Sequence, residues 1–171
     1  FTSMITSRGC PYQCIFCGVQ AIFGHEYRFM SPENIVAQIE ILQEKYDIKT
    51  IIFKDSEFAL RKNRIEKFCD LIIEKGIKVK WLCNGRINNM TKELLMKMKN
   101  AGCFSITYGV ESGSDRILNV LKKNISLEQA RKTIYMTKEV GIETVANFII
   151  GNPTETKEDI LLTEKLAERI Q

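Results

Sequence analysis

Short apolar runs alternate with stretches of helical spacing along nearly the whole chain, and that alternation limits the fold more than any other feature. The runs predict strands at Ser3–Ser7, Thr50–Lys54, Lys78–Cys83, Phe104–Val110 and Thr144–Ile150. Between them, spacing predicts helices near 32–46, 63–75, 91–101, 114–122, 126–140 and 156–170. Apolar sets such as Ile35, Ile39 and Leu42, or Ile65, Phe68 and Ile72, give each helix a face to lay on a sheet. Ser31-Pro32 supplies a cap and a first-turn proline, and Ser126 with Gln129 reads as a capping box. Gly76, Gly102 and Gly141 stand where helices should stop. Strand–helix repeats with right-handed crossovers build a parallel sheet. The fold class is therefore α/β, as a partial barrel of five βα units or an open doubly wound sheet. In either case ligands bind at the carboxyl ends of the strands.

The 171 residues suffice for one domain with a sizeable core. Twenty-five Lys and Arg against 21 Asp and Glu leave a net charge of +4, spread along the chain, so there is no specific nucleic-acid signal. The basic stretch RKNRIEK (61–67) reads as the wet face of a helix. No apolar run approaches the length of a membrane span, and no basic-then-apolar leader opens the chain. The opening FTSMITSRG already reads as a strand, which predicts a segment of something longer. Six cysteines in a lysine-rich chain without a leader predict reduced thiols and a cytoplasmic setting.

Three of those cysteines, Cys10, Cys14 and Cys17, crowd into GCPYQCIFCG (9–18), directly after the first strand. Thiolates suit soft metal ions and iron–sulfur clusters. A closed structural zinc site needs four protein ligands. His25, the only histidine, lies eight residues beyond Cys17, so a zinc-binding Cys3His module without catalysis is the rival reading. Cys69 falls on a helix, and Cys83 and Cys103 on strands, where small buried apolar residues are expected.

Polar residues gather at the other strand ends. Asp55, in FKDSEF, suits either a ligand or a turn cap. Glu111 follows the apolar strand at the expected catalytic rim, while Ser114 and Asp115 suit a helix cap. Asn147, set among Val145, Phe148 and Ile149, reads as a buried amide in need of partners. Arg86 faces a substrate or is an ordinary loop arginine, and Lys123 serves a ligand or sits solvated at a helix end.

C-x3-C-x2-C with an aromatic before its third cysteine resembles the radical SAM superfamily. The resemblance continues in order through YRFMSPENIVAQIE, FKDSEF, Trp81 to Arg86, AGCFSITYGVESGSDRIL and NFIIGNPTET. It is strongest to the branch often fused to a cobalamin-binding domain. The resemblance implies a partial TIM-like barrel, truncated after about five βα units. Residues 1–171 would be its core domain, lacking the last βα unit and the flanking domains. It also implies a [4Fe–4S] cluster held by Cys10, Cys14 and Cys17, with S-adenosylmethionine on the iron they leave open. Asp55-Ser56-Glu57 stands where the family often has Gly-Gly-Glu at the methionyl amino group, a departure from the pattern. Glu111 and Ser112 correspond to the ribose or methionyl contact, Lys123 to a base for the carboxylate, and Asn147 to a ribose contact. Gly151 and Pro153 would lie near the adenine, with Phe16 and Ile149 as apolar walls. The implied enzyme reductively cleaves S-adenosylmethionine to a 5′-deoxyadenosyl radical, for hydrogen abstraction or for methyl or other group transfer. Ferredoxin or flavodoxin would donate the electron, cobalamin could enter through an absent domain, and the substrate is not specified. A scaffold that has lost activity is a third reading, with the Asp-Ser-Glu departure as its first mark.

Overall fold

The computed structural model describes residues 1–170. In chain order the strands are β1 (Thr2–Met4), β2 (Ser7–Arg8), β3 (Arg28–Phe29), β4 (Thr50–Phe53), β5 (Lys80–Gly85), β6 (Cys103–Glu111) and β7 (Glu143–Phe148). The helices are α1 (Val19–Phe23), α2 (Pro32–Tyr46), α3 (Lys62–Glu74), α4 (Lys92–Asn100), α5 (Asp115–Val120), α6 (Leu127–Glu139) and α7 (Lys157–Arg169).

One five-stranded sheet runs β1-β4-β5-β6-β7, every neighbouring pair parallel. That order follows the sequence without reversing. A doubly wound sheet reverses its order at a switch point, so this array is singly wound, as in a barrel wall. Helix packing agrees, with α2 against α3, α3 against α4 and α4 against α6 in succession. Burial alternates along the strands. Ile51 and Phe53 of β4, Trp81 and Cys83 of β5, and Ile106, Tyr108 and Val110 of β6 are buried in the core. The opposite face carries the less buried Asn84, Thr107 and Asn147. Parallel sheets usually hide both faces under apolar cover; here one face is left for polar side chains.

The core centres on Trp81, whose ring lies 5.5 Å from Phe53, 5.5 Å from Phe58 and 5.6 Å from Phe68. Its indole N–H donates to the Ala101 carbonyl at 2.8 Å, so the one polar atom of the ring is satisfied. Cys69, Cys83 and Cys103 are also buried there. The helix signals hold: Ser31 accepts from the Asn34 amide, and Ser126 and Gln129 exchange both bonds of a capping box.

Three features depart from the sequence reading. The predicted first strand is split, and β2 pairs antiparallel with β3 in a separate ribbon. The short helix α1 directly after the cysteine segment was not anticipated. Arg64, placed on a wet helix face, is buried. It donates to the carbonyls of Met30 at 3.0 Å, Thr6 at 3.1 Å and Phe58 at 3.3 Å, clamping the ends of three segments. Among the described residues no helix is long and apolar enough to cross a membrane.

Candidate active site

The cysteine segment is a loop held at both ends. Gly9 adopts φ +86°, and a Cβ there would overlap the Glu26 carbonyl oxygen, so only glycine lets the two strands of the ribbon close. Cys10 N–H donates to the Gly24 carbonyl at 3.3 Å, and Gln20 Nε2 donates to the Tyr12 carbonyl. The far side rests on the turn after α5: Ile15 N–H donates to the Leu121 carbonyl at 3.2 Å, and Cys14 Sγ lies 3.9 Å from the Lys122 carbonyl. All three cysteines are half-buried free thiols, and burial raises the Cys10 thiol above its ordinary value.

The thiols face a cavity of about 270 Å³ at the carboxyl ends of the strands. Phe16, Ser56, Glu57, Glu111, Lys123 and Asn147 line it with them. Residues far apart in sequence therefore converge where this topology places ligands. The position of Glu111 depends on a bulge: the β6–β7 register shifts between Gly109 and Glu111, and Glu111 itself has φ +74°. A non-glycine residue held at positive φ is a strained conformation of the kind that gathers at functional sites. Its carboxylate folds back to Lys123, Oε1 to Nζ 2.7 Å, with both side chains buried. A Cβ on Gly109 would overlap that carboxylate and stand 2.9 Å from the ammonium, so the pair requires glycine beneath it. Lys123 is thus a buried ion-pair partner, not a solvated helix-end lysine.

Glu57 is 4% exposed, and its Oε1 accepts from the Ala59 amide at 3.2 Å. Burial pushes its carboxyl up to about 7. Arg86 is no loop arginine in solvent: it is buried, its Cζ sits 3.8 Å from the centre of the Tyr12 ring, and its Nη2 donates to the Lys123 carbonyl. Arg86 Nε and Asn89 Nδ2 are buried donors without a partner among the described residues. Asn147 lines the cavity but is exposed, because β7 is the edge strand and covers only one side of it.

Three expected site residues lie elsewhere. Asp55 is fully buried and accepts from Thr6 N–H at 3.2 Å, Thr6 Oγ1 at 2.8 Å and Ser7 Oγ, bracing the first loop. Ser112 Oγ accepts from the Ser114 amide at 3.2 Å and lies 3.4 Å from Thr163 Oγ1, tying α5 to α7. Gly151, at φ +87°, donates its amide to Glu155 Oε2 at 2.6 Å within a turn. His25 is exposed and does not line the cavity, so the Cys3His arrangement is not formed. Among the described residues no three His, Cys, Asp or Glu side chains converge on a point that one metal ion could fill. The sequence reading passed over Tyr12, Gln20, Asn84 and Thr107, which also line the cavity. Asn84 carried a signal, being a polar residue at the end of an apolar strand, and Thr107 interrupts the apolar run of β6.

Comparisons with known proteins fit this geometry. The chain is 35% identical over 170 residues to an uncharacterized methyltransferase of Pyrococcus horikoshii, covering 99% of the chain and 37% of that protein. It is 32% identical over 163 residues to an anaerobic magnesium-protoporphyrin IX monomethyl ester cyclase of Rubrivivax gelatinosus, covering 94% of the chain and 29% of the cyclase. The chain thus spans about a third of the length of these curated relatives. In fold it resembles TsrM, a radical S-adenosylmethionine methyltransferase of Kitasatospora setae solved with cobalamin and a [4Fe–4S] cluster bound. The TM-score is 0.90 at 20% identity, over 99% of this chain and 32% of that one. The sheet is accordingly the wall of a partial TIM-like barrel. The Radical SAM superfamily pattern matches residues 4–167, nearly the whole length, and the chain belongs to that superfamily.

Proposed function

We propose that this chain is the catalytic core of an enzyme that binds a [4Fe–4S] cluster through Cys10, Cys14 and Cys17 and cleaves S-adenosylmethionine beside it. The observation that carries this reading is the meeting of those three thiols with Glu57, Glu111, Lys123 and Asn147 around one cavity. The donor set fits the group. Cluster thiolates bind different irons, so they line a volume without meeting at one point, as these do. A single zinc ion would require convergence and a fourth ligand, and His25 does not supply one.

When bound, the cluster supplies a low-potential electron, and S-adenosylmethionine supplies the 5′-deoxyadenosyl group that becomes the hydrogen-abstracting radical. The protein's part is binding, orientation and exclusion of water. The cavity wall holds two acids, Glu57 and Glu111, and two cations, Arg86 and Lys123, which suits a ligand carrying an amino group, a sulfonium and a carboxylate. Lys123 would serve the carboxylate end, Glu57 the amino group and Asn147 the ribose. Phe16, 40% exposed at the cavity mouth, supplies an apolar wall for the base. Asp55 and Ser112 act through the braces described above, and Gly151 shapes the turn beyond β7. The whole protein would add a further βα unit and flanking domains, in keeping with the third of its relatives' length that this chain spans. A cobalamin domain among them would direct the chemistry toward methyl transfer or ring formation, and a cytoplasmic ferredoxin or flavodoxin would deliver the electron.

Anaerobic reconstitution with iron and sulfide tests the reading. Cys10→Ala, Cys14→Ala and Cys17→Ala should each abolish cluster assembly, whereas Cys69→Ala, Cys83→Ala and Cys103→Ala should retain it. The reduced parent should release 5′-deoxyadenosine and methionine. Asn147→Ala should keep its iron and weaken cofactor binding by roughly five-fold, the value of one modest hydrogen bond. Four irons in the Cys14 variant would overturn the ligand assignment.

A further inference from the structure

Arg86 emerges directly from the end of β5 with its side chain 6% exposed, in contact with two segments remote from it in sequence. Nη1 lies 3.5 Å from Cys14 Sγ, and Nη2 donates to the Lys123 carbonyl in the turn on which the cysteine loop rests. The guanidinium plane is seated on the Tyr12 ring, within the same loop, and the Tyr12 hydroxyl donates to Asn89 Oδ1 at 3.0 Å. Nε is buried without a partner among the described residues. A guanidinium does not lose its proton in a protein, so this is a permanent buried charge. The neighbouring cation, Lys123, is matched by Glu111 at 2.7 Å. Arg86 is in none of the ion pairs among the described residues. The contact with anionic character in prospect is the Cys14 sulfur, once that sulfur is a thiolate.

Resting on the reading that Cys14 ligates iron, we propose that Arg86 is a positioning residue that sets the reduction potential of the bound cluster through the Cys14 sulfur. Cluster potentials follow net charge, hydrogen bonds to the sulfurs and solvent exposure. Reduction adds one electron and no compensating proton, so the reduced state carries one more negative charge. A fixed cation donating to a ligand sulfur stabilises that state and raises the potential. The Tyr12 ring and the Lys123 carbonyl hold the guanidinium in place, as outer groups orient and tune metal ligands elsewhere.

The test is a reductive titration of the full-length, anaerobically reconstituted protein, followed by electron paramagnetic resonance without S-adenosylmethionine and paired with iron counting. Arg86→Met keeps the length and removes the charge. It should retain four irons and show a more negative midpoint than the parent. Arg86→Lys keeps a point charge without the fork and should fall between the two. An unmoved midpoint in Arg86→Met at full iron overturns the proposal, and so does loss of iron from both variants, which would make Arg86 a requirement of loop folding. If only Arg86→Met loses iron, Arg86→Lys decides: a negative shift supports the proposal and an unchanged midpoint overturns it. A parent that assembles no cluster overturns the underlying ligand assignment as well, and is told apart by its own iron count.

Discussion

Glu57 shows how burial alone turns a common side chain into a pH-responsive one. Its carboxyl, ordinarily near 4.5, titrates at about 7 because the charged form is taken out of water. In the unfolded chain the same group titrates near its ordinary value. Between those two values the folded chain holds a proton that the unfolded chain has lost. Stability therefore falls as pH rises from about 4.5 to 7, then levels off. The displacement corresponds to roughly 3 kcal/mol at most. Urea unfolding of the ligand-free chain from pH 5 to pH 8 should show this slope, and Glu57→Gln should flatten it and be the more stable protein at pH 8. Equal slopes in the two would show that Glu57 is hydrated after all.

At the scale of elements, the two-residue ribbon of β2 and β3 is small but decides where the cysteines go. Gly9→Ala would place a methyl group against the Glu26 carbonyl at a backbone angle alanine resists. The substitution is expected to cost about 1–3 kcal/mol and to lower iron incorporation, read by thermal unfolding and iron analysis of the same preparation. The sequence showed the longer elements well. The helix expected at 32–46 spans Pro32–Tyr46, since its cap and proline are local chemistry. The five parallel strands were legible for the same reason, through runs long enough to show a pattern. The ribbon was not, because two residues carry no period, and its partners lie about twenty apart. Arg64 was misplaced on a solvated surface, and of the two alternatives open for Lys123 the solvated helix-end lysine falls away. Helical spacing reports which face a residue occupies, and cannot show that another segment folds over that face with carbonyls or a carboxylate to offer. Asn147 failed in the opposite sense: its apolar neighbours suggested burial, but an edge strand leaves one side open. Cys10, Cys14, Cys17 and Glu111 were legible as site candidates because strand ends in a singly wound sheet meet by topology, whatever the loops do, whereas Glu57 was reached through the family resemblance.

For the whole molecule, β7 is one of the two edge strands of the sheet, and it carries Asn147 of the site. Val145 is 48% exposed on that strand and Ile150 57% just beyond it. Edges of this kind recruit a second strand. The 171-residue chain is expected to self-associate with rising concentration, and Val145→Lys to suppress this by placing a charge on the strand. Sedimentation velocity across a tenfold concentration range checks it, and a parent that stays monomeric throughout would count against the edge as a contact site.

The seat of the cysteine loop also has a history during synthesis. Cys14 rests on Lys122, 108 positions later in the chain. At about 5–20 residues per second of translation, the thiols emerge roughly 5–20 s before the turn that fixes their far side exists. Throughout that interval Cys10, Cys14 and Cys17 belong to a nascent loop without a floor, open to oxidation and to stray metal ions. The seat of these thiols is complete only once the fourth strand of the sheet and α5 have left the ribosome.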